Sequence, residues 1–237
     1  MHFPARLALL GLIPATLGAA LSACAGTARD SQPASPGEET VRYVALGDSY
    51  TIGTSVAEAE SWPAQLAARL DGVGLVANLG VNGYTSRDLI ERELPELAGL
   101  EPELVTVLIG VNDVVQGVPD AEYAANVGLI LDGVLEHVAA DAAVCIATPD
   151  YTLTPRGSQF GDPMEQSDRI VRVNAILAEA CRQRGIAFVP DIFEISHGVT
   201  DDASLVAGDG LHPSGAQYRL WTDAIEPAVR RAIERGA

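Results

Sequence analysis

The 237-residue chain contains no lysine; all fifteen of its basic side chains are arginine. A Walker-type phosphate loop needs a lysine on its phosphates and a Schiff-base enzyme needs one as nucleophile, so neither chemistry is available. Metal-ligating residues are nearly as scarce. Three cysteines and four histidines, scattered and in no C-x-x-C or H-E-x-x-H arrangement, do not make a structural zinc site. Positive charge is short as well: 15 Lys+Arg against 32 Asp+Glu leaves a net charge of −17. Nucleic acids and anionic membrane surfaces both call for clustered cations, which removes them as partners. Long apolar runs are missing too. The stretch from Leu7 to Leu21 is broken by Gly11, Pro14, Thr16 and Gly18 and is too short to span a bilayer comfortably. The chain is nonetheless 48% hydrophobic and only 20% charged, so it can bury a sizeable core and is not disordered throughout.

The apolar stretch follows Arg6 and leads into Leu21-Ser22-Ala23-Cys24, so residues 1–23 read as a secretory signal peptide. Those four residues resemble the lipobox of bacterial lipoproteins. The resemblance implies cleavage before Cys24, lipidation of its thiol, and an exported protein anchored at the cell envelope through Cys24. The alternative is an ordinary signal cleaved near Ala23 or Ala25, giving a secreted soluble protein. Residues 24–40 are rich in Ser, Pro, Gly and acidic side chains and read as the lipidated cysteine followed by a flexible tether. The folded domain then spans 41–237.

Within it, strand-like apolar runs recur at Tyr43–Gly47, Leu75–Leu79, Leu104–Ile109, Ala143–Ala147 and Ala187–Pro190. Helical patterns alternate with them at Trp62–Leu70, Arg87–Leu97, Ala121–Ala139, Met164–Arg184 and Gly215–Arg235. Apolar strands separated by helices imply βαβ units and a doubly wound α/β fold with a five-stranded parallel sheet. Functional residues in such sheets gather beyond the carboxyl ends of the strands. Four loops there carry polar or glycine-rich sequence: Gly47-Asp48-Ser49-Tyr50, Asn78 to Gly83, Gly110-Val111-Asn112-Asp113, and Asp209-Gly210-Leu211-His212-Pro213.

A serine hydroxyl is a weak nucleophile until an imidazole takes its proton, and the imidazole works best when held by a carboxylate. Ser49 follows a strand directly, and the three-residue spacing from Asp209 to His212 lets the carboxylate reach the ring in a tight turn or a first helical turn. Acyl transfer also needs donors for the developing oxyanion, which a backbone N–H at Gly83 and the Asn112 amide can supply. Each element alone is weak: Gly-Asp-Ser is more often a turn, and Asn112-Asp113 more often a helix-capping loop.

Taken together and in order, G-D-S-Y (47–50), N-L-G-V-N-G-Y-T-S (78–86), G-V-N-D (110–113) and D-G-L-H-P (209–213) resemble the SGNH (GDSL-type) hydrolase superfamily. The resemblance spans essentially the whole domain. It implies a flavodoxin-like three-layer α/β/α sandwich with strand order 2-1-3-4-5, and Ser49 as nucleophile with His212 as base and Asp209 orienting it. It further implies an oxyanion hole made of the Ser49 and Gly83 N–H groups and the Asn112 side chain. Tyr50 stands where the family frequently has leucine. No metal or organic cofactor is implied.

Other features have plainer readings. Gly72-x-Gly74-x-x-Ala77 mimics a dinucleotide fingerprint but precedes a strand, so it reads as a turn. Glu194-x-x-His197 repeats the acid–histidine spacing and is a rival to His212, otherwise a loop residue or a substrate contact. His137 ends a helical pattern, where a cation is favoured. Cys145 and Cys181 lie among apolar neighbours, either as buried thiols or as a disulfide that export would permit. Asp201-Asp202 reads as a solvated face, since nothing in its spacing supports calcium. The loop from Tyr151 to Asp162 is expected to border the site and shape substrate choice, with Arg156 its one positive charge. The expected activity is hydrolysis of carboxylic esters, the substrate being a small-molecule, lipid or glycan ester. O-deacetylation of acetylated glycans and lysophospholipase or lipase-like activity are the alternatives among enzymes. A non-catalytic envelope binding lipoprotein is the alternative outside them, and it would show a broken triad.

Overall fold

The computed structural model describes residues 40–236. The signal peptide, Cys24 and all of the tether but Thr40 lie outside them. Five strands, β1 (Val41–Gly47), β2 (Val73–Asn78), β3 (Leu104–Leu108), β4 (Ala143–Ile146) and β5 (Ala187–Val189), form one parallel sheet in the order β2-β1-β3-β4-β5. The helices are α1 (Ser49–Ile52), α2 (Trp62–Arg69), α3 (Ser86–Asp88), α4 (Leu97–Leu100), α5 (Val111–Gln116), α6 (Asp120–Leu135), α7 (Pro163–Arg184), α8 (Ile192–Ser196) and α9 (Gly215–Gly236). Helix α2 packs on α9 and α6 on α7, which gives the three-layer flavodoxin-like sandwich expected from the sequence.

Strands β3 and β4 are buried along their whole length, as their unbroken apolar sequence requires. The edge strands are half-exposed. On β2 the register slips, so that Tyr43 pairs with Leu75 but Val44 with Ala77, and the unpaired Val76 turns outward. A bulge of this kind blunts an edge against pairing with another chain. In the interior, Trp62, Trp221, Tyr43, Tyr123 and Tyr218 are fully buried. The Tyr43 hydroxyl is satisfied by Thr106 Oγ1 at 2.8 Å. Cys145 on β4 and Cys181 on α7 are buried free thiols. The hydrogen bond to Cys181, together with burial, holds the Cys145 thiol far above its ordinary range.

One predicted helix is not regular. Where the apolar pattern suggests Arg87–Leu97, α3 passes into a π turn (Leu89–Glu93), a 3₁₀ turn (Leu94–Glu96) and then α4. Pro95 lies in the first turn of the 3₁₀ segment, where its missing N–H is tolerated. The π turn carries Glu93, whose carboxylate is buried and accepts the Gly47 N–H at the end of β1 (Oε2, 2.8 Å). Burial lifts this carboxyl from 4.5 to about 9, against the Gly47 bond that favours the anion and with repulsion from Asp48 and Asp88. Glu93 thus stays protonated in the fold at pH values where the unfolded chain ionises. Its contribution to stability is present below pH 4.5 and is lost as pH rises toward about 9. Glu93→Gln keeps an acceptor for Gly47 and removes the ionisation. Thermal melts should show the variant level with the parent at the acid end and increasingly more stable across that window. Parallel melting curves at all pH values would contradict the assignment.

Candidate active site

The site lies beyond the carboxyl ends of β1 and β3, where the sheet order reverses direction. Strand β1 ends at Gly47, with φ at +154°. A Cβ there would fall 2.3 Å from both the Leu108 carbonyl and Thr51 Oγ1, so only glycine lets the end of β1 lie this close to β3. Asp48 then caps the single turn of α1, accepting the Tyr50 N–H (2.9 Å), and Ser49 becomes the first helical residue. Burial lifts the Asp48 carboxyl to about 7, with the Tyr50 bond opposing and the Asp113 charge reinforcing the shift. The first N–H groups of a helix have no partner within it, and neither the Ser49 N–H nor its hydroxyl is bonded to another described residue.

The second loop is fastened to this turn by Asn78, whose Nδ2 donates to the Thr51 carbonyl (2.7 Å) and whose Oδ1 accepts the Gly80 N–H (3.2 Å). It ends at Gly83, at φ +83° with open space where a side chain would stand. From α5, Asn112 Nδ2 donates to the Tyr84 carbonyl at 2.9 Å, which fixes the amide beside Gly83 and leaves its second N–H available. The neighbouring Asp113 is buried and accepts from Ser86 twice, the N–H at 2.9 Å and the hydroxyl at 2.5 Å. It bolts the second loop to the third.

The fourth loop is a tight turn rather than a helix start. Asp209 Oδ1 accepts the N–H groups of Leu211 (2.9 Å) and His212 (3.0 Å). Its Oδ2 meets His212 Nδ1 at 2.6 Å and also accepts from Ser55 Oγ at 2.7 Å. Burial opposes ionisation of Asp209, yet the hydrogen bonds from His212, the Leu211 N–H and Ser55 outweigh it and hold the carboxyl well below the usual range. The imidazole also packs at a tilt against the Tyr50 ring (centroids 5.3 Å apart), which in turn stacks on Trp221 (6.2 Å). Tyr50 therefore positions the histidine, a role its place after the serine does not announce.

Ser49, Gly83, Asn112 and His212 line one cleft of about 190 Å³, with Asp209 behind the histidine. Val111, Val115, Tyr151, Phe160 and Leu211 form its apolar wall. The five residues singled out from sequence are thus brought together, whereas Cys24 lies outside the described residues. The loop after β4 borders the cleft through Tyr151 and Phe160. Arg156 is not on the wall; its Nη1 reaches the Asp209 carbonyl (3.4 Å) and its Nε the Gln159 side chain (3.1 Å). The rival His197 lies elsewhere, 3.5 Å from Asp150 and 3.6 Å from Glu194, with its ring against Phe193. Gly72 makes a left-handed turn into β2, as its context suggested. Among the described residues no group of three or more His, Cys, Asp or Glu side chains is arranged to hold a metal ion. Nor is any described helix long and apolar enough to cross a membrane.

An acid–imidazole pair that shares a cleft with a helix-starting serine, at the switch point of a parallel sheet, is the framework of an ester hydrolase. The chain belongs to the GDSL-like Lipase/Acylhydrolase family, whose model matches residues 45–220. It is similar to the GDSL lipase Rv0518 of Mycobacterium tuberculosis, 27% identical over 197 residues that cover 78% of this chain and 79% of that one. It is similar also to esterase TesA of Pseudomonas aeruginosa, 26% identical over 189 residues, 78% of this chain and 86% of that one. Among solved structures, a catalytic mutant of Axe2, an acetylxylan esterase from Geobacillus stearothermophilus, shares the fold with a TM-score of 0.62 at 20% identity, covering 79% and 93% of the two chains.

Asp113→Ala would leave the buried Ser86 N–H without its acceptor and should cost about 2 kcal/mol of stability. Urea unfolding measures this directly, and an unchanged midpoint would show that the Ser86–Asp113 bolt carries no weight.

Proposed function

We propose that the protein hydrolyses carboxylic esters of short acyl groups through an acyl-Ser49 intermediate, with His212 as general base and Asp209 as its partner. The observation that carries this reading is the 2.6 Å contact of Asp209 Oδ2 with His212 Nδ1, made at the cleft that presents Ser49. With Nδ1–H donated to Asp209, Nε2 is left as the acceptor. Ser49 Oγ attacks the ester carbonyl carbon and its proton passes to His212 Nε2. The oxyanion is met by the N–H groups of Ser49 and Gly83 and by the Asn112 amide, each such donor being worth about 3 kcal/mol of barrier. The C–O bond to the alcohol then breaks, and the imidazolium gives its proton to the leaving oxygen. Water, deprotonated by the same Nε2, attacks the acyl-serine and releases the carboxylic acid, and the proton returns to Ser49 Oγ. Two Axe2 structures are described as catalytic mutants, one with a serine and one with a histidine replaced by alanine, which fits these roles.

The size of the cleft supports the substrate class. The cleft at Ser49 is small, about 190 Å³, and its wall of Val111, Val115, Tyr151, Phe160 and Leu211 suits a short apolar acyl group. An acetyl ester on a glycan is a second reading that the same volume favours, and Axe2 is described as an acetylxylan esterase. A series of p-nitrophenyl esters from acetyl to palmitoyl should give kcat/KM highest at the short end. Ser49→Ala should lower turnover by about 10⁶-fold with unchanged melting temperature; Asp209→Asn should lower it by about 10⁴-fold and also melt lower, because the fold favours the ionised carboxylate. A maximum at palmitoyl would overturn the substrate class, and undiminished turnover by Ser49→Ala would overturn the mechanism.

We also propose that the exported protein is a lipoprotein held at the cell envelope through Cys24, on the strength of Leu21-Ser22-Ala23-Cys24. Cys24→Ser should shift it from the membrane fraction of expressing cells to a soluble one. Retention of the variant in the membrane fraction would contradict the anchor.

A further inference from the structure

Ser55 lies in the loop that follows α1, at φ +69°. Only one other non-glycine among the described residues has a positive φ, Glu101, and that residue ends α4 in an ordinary left-handed cap. Ser55 has no such reason: α1 is already ended by Gly53, in the left-handed region with its N–H on the Ser49 carbonyl. A position dictated by the backbone alone would suit glycine, since an L side chain in this region carries a steric cost. What a glycine could not provide is the hydroxyl. Ser55 Oγ donates at 2.7 Å to Asp209 Oδ2, the same oxygen that meets His212 Nδ1, across 154 residues of sequence. The residue before it, Thr54, bonds through its hydroxyl to the Asn82 side chain, next to Gly83. One short loop therefore ties the serine turn to the wall of the cleft and to the acid.

We propose that Ser55 is a positioning residue for the acid–imidazole pair: its hydroxyl fixes the rotation of the Asp209 carboxylate and moderates how strongly Oδ2 holds the imidazolium. This rests on the reading of Ser49, His212 and Asp209 as nucleophile, base and orienting acid. Without the hydroxyl, Oδ1 keeps its two backbone N–H bonds while Oδ2 keeps only the imidazole. The carboxylate is then a stronger acceptor for the protonated ring and less firmly held in rotation. The other titratable and charged groups facing the pair are Tyr50 of α1 with Asp48 behind it, Tyr151 and Arg156 from the loop after β4, and Tyr218 of α9. None of these is altered by changes at Ser55.

Two substitutions separate the hydroxyl from the backbone. Ser55→Ala loses the hydroxyl and keeps the strained φ; Ser55→Gly loses the hydroxyl and relieves the strain, so the glycine variant should melt higher than the alanine variant. Both should nonetheless show the same kinetic change with a short p-nitrophenyl ester: kcat down about tenfold, KM little altered, and the acidic limb of the kcat/KM profile moved to higher pH. Wild-type kinetics and pH profile in both variants, with Ser49→Ala inactive, would overturn the role of Ser55 and leave the triad reading standing. Impairment of the alanine variant alone would equally overturn it, because kinetics would then follow strain and not the hydroxyl. An active Ser49→Ala would remove the triad reading itself, and this inference with it.

Discussion

The side-by-side approach of β1 and β3 at their carboxyl ends is the constraint on which the rim of the molecule depends. Gly47 lies so close to the Leu108 carbonyl that no side chain fits between them. The chain leaves β1 toward β2 and leaves β3 toward β4, so the two following loops part and open a crevice. Ser49 begins α1 on one side, and Asn112, in the first turn of α5, stands on the other. The Asn78–Thr51 and Asp113–Ser86 bonds then fasten the intervening loop, and with it Gly83, to both. The acid and histidine come from far along the chain, delivered by a turn that closes just before α9 and is steadied by Tyr50 and Trp221.

This arrangement concentrates acidic groups under the serine turn. Asp48, Glu93 and Asp113 are all buried there, and burial lifts each of them. They serve as acceptors for backbone N–H groups at points where the chain turns sharply: Tyr50, Gly47 and Ser86 respectively. Asp209 is held low by contrast, because four donors converge on its two oxygens. The protein thus has buried carboxyls that build the turn and one ionised carboxylate that faces the imidazole. Their environments, not their residue types, separate the two tasks.

The sheet and its order were legible because unbroken apolar strands and periodic helices leave few alternatives, and the strand limits agree with the apolar runs to within two residues. Ser49, Gly83, Asn112, Asp209 and His212 were legible because each lies in a local block with its own chemistry. What escaped was long-range or locally disguised. Glu93 sits in a stretch with a convincing helical period, and only the π turn shows that it faces inward. Asp113 reads locally as a cap, whereas its partner is Ser86, 27 residues away. Ser55 carries no local signal at all, since its partner is 154 residues distant. Tyr50 reads as a substitution of little consequence until its ring is found between His212 and Trp221.

If Ser49 is the nucleophile, its acyl-enzyme can be trapped. The protein is mixed with p-nitrophenyl acetate, quenched in acid within the first turnover, and mapped by peptide mass spectrometry. One acetyl group is expected, on the peptide carrying Ser49, greatly diminished in His212→Ala. Acetylation confined to another residue, or the same yield on Ser49 without His212, would contradict it.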